Sequence, residues 1–359
     1  MLSLLNRAIF GLSVIGTVLG GQVVAAPRNA LTFSCPGVSS SGTRPHLGLE
    51  PIPEVTTKEE DAMEAPQELI DRALPIVGFF ESSSVDPFTN ISSTDTISLG
   101  YMQWNWGTKS LINTFMATVR PTDIALADGK IQPVLTTLKM FADKPATISE
   151  ISGQQAAAQL LANRALVQTW LATEQLRLRQ KEMMKPTLSL AYSLSKKWLE
   201  PLKSIPDAVR LQTFVYFVDL VVYNGGRAGI WREHVDAFRK DRTSMDIADL
   251  IYKWTLACQE VRRPTPHPSI YNAPEALSNA QLWKNKIDAD ATVFSENEID
   301  LWVFGFLRAV TSNGDDAPKG FPGIFQADVL SRRGVVALRY GTVHGTCYKP
   351  DPVRTVSQC

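Results

Sequence analysis

Over most of its length the chain carries apolar residues in a helical rhythm. From Gln67 to Phe80 they recur at Leu69, Ile70, Ala73, Leu74, Ile76, Val77, Phe79 and Phe80, the three-and-four spacing of one helix face. Pro75 inside this run predicts a kink or the start of a second helix. Ala- and Leu-rich stretches with Gln, Lys and Arg between them predict further helices over Ser152–Lys181, Ser189–Leu199, Ala208–Tyr223 and Ile247–Arg262. The rhythm is lost over residues 82 to 107. Ser, Thr, Asn and Asp dominate first. Then comes the partly alternating Ile97-Ser98-Leu99-Gly100-Tyr101-Met102-Gln103-Trp104-Asn105-Trp106-Gly107; together the two predict a loop followed by a short hairpin or extended segment. Residues 26 to 65 are rich in Pro, Ser, Gly and Thr without apolar periodicity and read as a linker or surface arm. The expectation is a mainly α (α+β) fold, with one large helical domain over 66–359 and a small β-hairpin region.

The N-terminus has a separate pattern. One positive charge in residues 1 to 7 precedes an uncharged apolar run, Ala8 to Gly20, and then the small residues Val23, Val24, Ala25 and Ala26. This predicts a secretory signal peptide over 1–25, cut after Ala25, and a periplasmic or secreted protein. The run is short for a bilayer crossing of roughly 20 residues, so no stable membrane insertion is expected after cleavage. The cysteines agree with export: Cys35, Cys258, Cys347 and Cys359 are even in number and predict two disulfides. Cys347 with Cys359 would tie down the tail, and Cys35 with Cys258 would pin the arm. Their spacing does not fit a metal site, and no cofactor is expected. Lys+Arg and Asp+Glu are both 36, so the net charge is zero, which gives no support for a nucleic-acid partner.

Candidate chemistry gathers between Glu81 and Gly107. A glycosidase needs a carboxyl group that stays protonated until it donates to the leaving oxygen. Apolar surroundings keep such an acid neutral. Glu81 follows Val77-Gly78-Phe79-Phe80 and opens into a polar loop, which is that setting. Asp95 and Asp86 are the carboxylates within reach along the chain. Asp95 is a candidate to position water, whereas Asp86 before Pro87 reads as turn chemistry. Gln103, Asn105, Tyr101 and Trp104 offer amides and aromatic faces to a sugar. Trp104 and Trp106 share one side-chain parity on a strand and fit a core equally well.

Glu81-Ser82 followed by Gly100-Tyr101-Met102-Gln103 resembles the Glu-Ser and Gly-x-Met-Gln pattern of lytic transglycosylases and goose-type lysozymes. The resemblance implies a lysozyme-like helical domain with a small sheet lining the cleft, with Glu81 ending a helix as the catalytic acid. Asp95 matches a water-positioning Asp of the goose-type pattern, and Asn105 stands where that pattern has a second one. Tyr223-Asn224-Gly225-Gly226, after the apolar Phe214 to Val222, is similar to a transglycosylase element whose Tyr and Asn face the acid. Val329-Leu330-Ser331-Arg332-Arg333 with Gly341-Thr342-Val343-His344-Gly345 looks like a recurring tail of bacterial lysozyme-like proteins. Taken by themselves, Arg332-Arg333 read as a solvated face and His344 as structural. The function implied is cleavage of the β-1,4 glycan of peptidoglycan, by hydrolysis or transglycosylation. An inhibitory or immunity protein is left open as a partner. A chitosanase-like enzyme on another amino-sugar polymer, or a non-catalytic wall-binding module, are the alternatives. No serine or cysteine nucleophile motif is present.

Overall fold

A computed structural model describes residues 63–82, 86–92, 97–107, 109–145, 149–224, 230–259, 273–311 and 322–348. The predicted signal peptide, most of the arm, Asp95, Cys35 and Cys359 lie outside the described residues. For Glu81, Tyr223 and Asn224 the description is of the backbone. Cys258 and Cys347 are both disulfide-bonded.

The described chain is mainly α. It opens with α1 (Gln67–Ser82) and a single turn at Pro87–Thr89. A three-stranded antiparallel sheet follows, made of β1 (Ile91–Ser92), β2 (Ser98–Leu99) and β3 (Trp104–Asn105). Its register pairs Ile91 with Leu99 and Leu99 with Trp104. A π-helical turn (Leu111–Met116) leads into α2 (Pro121–Ile124), α3 (Gln132–Asp143), α4 (Glu150–Ala162), α5 (Arg164–Leu171) and α6 (Glu174–Leu199). Then come α7 (Asp207–Asn224), α8 (Arg232–Arg239), α9 (Ser244–Gln259), α10 (Ala273–Ala289), α11 (Glu296–Thr311) and α12 (Pro322–Leu338). A final hairpin joins β4 (Thr342–Val343) to β5 (Thr346–Cys347). Among the described residues no helix is long and apolar enough to cross a membrane.

Two predicted boundaries move, each for a local reason. The helix expected over 152–181 is cut twice. The Asn163 side chain turns back to the Gln159 carbonyl, and the Thr173 hydroxyl to that of Trp170. Such side-chain bonds compete with the helical ladder. The helix expected over 189–199 instead begins at Glu174 and runs through Pro186. Pro75 likewise sits inside an unbroken α1. A proline costs the carbonyl four residues earlier its partner. Here both prolines, and Asp71 and Glu182 whose carbonyls they leave open, are exposed, which lowers the cost of the lost bond because solvent is at hand.

The buried side chains form two clusters. The larger one unites α1, the second half of α6 and α7 to α12, and includes the edge-to-face aromatics Trp198, Phe217, Trp231 and Phe304. The smaller one holds the sheet, the π-turn and α2 to α5, with Trp104, Trp106, Phe115 and Trp170. α6 is their common spine. Leu176 belongs to the smaller cluster, and Met184, Leu188, Ala191 and Trp198, at helical spacing, belong to the larger. Met102 touches both.

Arg332 and Arg333, expected on a solvated face, are buried. Both bond the buried Asp219 of α7, at 2.7 Å from Arg332 Nη2 and 3.3 Å from Arg333 Nε. Burial raises the nearby Tyr216 hydroxyl far above the usual tyrosine range. The Arg333 charge opposes that shift and Asp219 adds to it.

Candidate active site

Glu81 stands in the last turn of α1, immediately after the fully buried Phe80 and four residues after the fully buried Val77. The chain re-enters at Asp86 and crosses the same helix at Gly78. A Cβ at Gly78 would lie 2.3 Å from Pro87 Cγ and 2.9 Å from Tyr101 Cε2. Only glycine lets the Pro87 turn and the sheet approach the helix that closely.

Tyr101, expected to line a cleft, is instead fully buried. Its ring packs on Phe88 at 5.2 Å between centroids, and its hydroxyl donates to the Leu74 carbonyl of α1. This is the usual arrangement for a buried tyrosine, with the ring packed and the hydroxyl satisfied. Its backbone N–H donates to Gln180 Oε1 at 2.9 Å, and Gln180 Nε2 donates to the Phe88 carbonyl at 3.1 Å. Gln180, fully buried on α6, thus ties the segment after Glu81 to the turn between β2 and β3. Gly100 at the start of that turn has φ +70°, and a Cβ there would meet Gln180 Oε1 at 2.4 Å.

Gln103 closes the turn with φ +49°. Its Oε1 accepts from the Ser92 hydroxyl at 2.7 Å, and its Nε2 donates to the Gly100 carbonyl at 2.6 Å. The amide holds the three-stranded sheet together. Asn105 is half-buried, and its Nδ2 donates to the Ser98 hydroxyl at 2.8 Å. Trp104, proposed as a sugar platform, is buried in the smaller core against Phe115, and Trp106 is buried against Phe141. The strand ends at Asn105, so the parity argument for the two tryptophans does not apply. Asp86 accepts a two-pronged bond from Arg177, whose guanidinium also lies 5.4 Å from the Phe88 ring centroid.

α7 carries Tyr223 and Asn224 at its C-terminal end. Arg72, in the first half of α1, pairs with Asp207 at the first residue of α7, and the two helices pack along each other. They therefore run in the same direction, and their C-terminal ends, with Glu81 on one and Tyr223-Asn224 on the other, lie toward the same end of the bundle.

A second hairpin meets α1 at the same place. Its loop is His344-Gly345, with φ +54° and +72°, a two-residue turn with both centres left-handed. His344 Nε2 lies 2.9 Å from the Phe80 carbonyl oxygen. A carbonyl only accepts, so Nε2 carries the proton. The imidazole meets Phe79 edge-on at 6.3 Å, and Tyr348 stacks on Phe80 at 5.8 Å. Glu275 of α10 accepts the backbone N–H groups of His344 and Gly345. Periodicity gave no signal for Gln180 or Glu275, since a polar residue on a helix is by default solvated.

A cavity of about 480 Å³, lined by Leu69, Arg72, Leu199, Leu202 and Asp207 among others, opens toward the N-terminal end of α1. It includes none of the candidate site residues. Among the described residues no group of three or more His, Cys, Asp or Glu is placed to hold a metal ion. Comparison of the chain with protein-family models, with curated proteins and with solved structures finds no match in any of the three.

Proposed function

We propose that this chain is an exported, lysozyme-like enzyme that cuts the β-1,4 glycan backbone of peptidoglycan, with Glu81 as general acid. The observation that carries the reading is the convergence on one helix end. Glu81 closes α1, and the Gly100–Asn105 segment is docked on that helix through Tyr101 and Gly78. Tyr101, from the second half of the motif, thereby meets α1 at Gly78, three residues before Glu81.

In this reading Glu81 donates its proton to the glycosidic oxygen as the C–O bond breaks, leaving an oxocarbenium-like sugar. Asp95 positions the water that completes hydrolysis. Asn105 is an amide bonded to Ser98 and takes no proton, so a second carboxylate base is not supplied from that position. Without activated water, a hydroxyl of the substrate closes onto the same carbon, its proton passing to the Glu81 carboxylate left by the first step, and an anhydro sugar results. Gln103, Asn105, Tyr223 and Asn224 are the proposed substrate contacts. Tyr101 and Trp104 serve the site from within the core.

The test is incubation with purified wall sacculi and mass analysis of soluble fragments. Muropeptides ending in a reducing sugar identify hydrolysis, and anhydro ends identify transglycosylation. Absence of any released fragment, with chitosan cut instead, would overturn the choice of substrate. Binding to sacculi without cleavage of either polymer would overturn the enzyme.

A further inference from the structure

The tail motif Gly341-Thr342-Val343-His344-Gly345 has no role in the reading above, and its geometry supplies one. The Phe80 carbonyl is among the last four of α1, which have no partner within the helix. His344 Nε2 supplies that partner from a hairpin 264 residues away in the chain. The hairpin is itself fixed on three sides. Glu275 holds its two loop N–H groups, Asn279 holds Thr342 through N–H at 3.0 Å and carbonyl at 2.8 Å, and the buried Val343 and Tyr348 anchor it in the larger core. The imidazole therefore reaches the helix end from a rigid support. The first centre of a left-handed two-residue loop favours Asn, Asp or Gly. Histidine is among the side-chain-bearing residues that tolerate positive φ best, and at φ +54° His344 fits the turn while its ring bonds the helix end.

We propose that His344 is a positioning residue for Glu81: its bond to Phe80 fixes the last turn of α1 and so the aim of the neighbouring acid. This inference rests on the assignment of Glu81 as general acid.

The test compares His344→Asn, His344→Gln and Glu81→Gln in the full mature chain on solubilised glycan strands, with kcat, KM and thermal midpoint read for each. Asn suits the turn but is too short to reach the Phe80 carbonyl. It is expected to leave the midpoint unchanged or raised and KM within about twofold, with kcat lower by on the order of tenfold or more. Gln carries an amide N–H at longer reach and is expected to restore most of kcat. Wild-type kcat in His344→Asn, beside an inactive Glu81→Gln, would overturn the positioning role and leave the acid assignment standing. A fall of kcat only in step with the thermal midpoint, in both His344 variants, would also overturn it, since that is the mark of a structural staple. Activity in Glu81→Gln would overturn the acid assignment and this inference with it.

Discussion

The β2–β3 hairpin reaches α1 from inside the protein, through the buried Tyr101 hydroxyl and the missing side chain of Gly78. The β4–β5 hairpin reaches the same helix one turn further on through His344, an exposed residue in a left-handed turn. The first contact is made by groups with no access to water, so each bond lost there leaves a buried polar atom without a partner. The second joins the buried Phe80 to the exposed His344 at the edge of the core, so truncating the imidazole opens the Phe80 carbonyl to water. The difference separates architecture from adjustment. The inner hairpin decides whether Glu81 and the Gly100–Asn105 segment meet at all, and the outer one sets how firmly the helix end is held.

Substitutions ordered by size test that division. Gly78→Val places a branched side chain where even a Cβ is 2.3 Å from Pro87. It is expected to cost about 3 kcal/mol or more in chemical denaturation, and to remove activity with it. Gln180→Leu keeps the volume but strands the Tyr101 N–H and the Phe88 carbonyl. About 2 kcal/mol is expected, read the same way. Tyr101→Phe removes one hydroxyl bond and is expected to cost about 1 kcal/mol. Glu275→Gln acts on the outer hairpin. Less than about 1 kcal/mol is expected globally, with faster amide exchange confined to His344 and Gly345. A global loss from Glu275→Gln equal to that from Gly78→Val would erase the distinction between the two hairpins.

Much of the inner region was legible in the sequence. Apolar spacing marked α1 and α7, and the partly alternating run over 97–107 marked a short hairpin, found as β2 and β3 around the turn at Gly100 to Gln103. What each side chain does there was less legible. Tyr101 and Trp104 had the right chemistry for a sugar, but nothing along the chain tells whether an aromatic ring faces a cleft or a core. Short-range patterns also misplace buried charge. Arg332-Arg333 read as solvated because burying a charge is costly, and the partner that makes it tolerable, Asp219, lies 113 and 114 residues earlier. His344 and Phe80 are separated further still. Contacts of this kind depend on how α7, α10 and α12 pack, which no local window contains.

The central claim is that the Glu81 proton breaks the glycan. Its most direct measurement is release of soluble muropeptides from sacculi by the wild-type chain and by Glu81→Gln, with the fold of the variant checked by its denaturation midpoint. The substitution keeps the shape of the side chain and removes the transferable proton. A folded variant with release reduced by a factor on the order of a thousand or more is the result expected. Release at the wild-type rate by the folded variant would contradict the account.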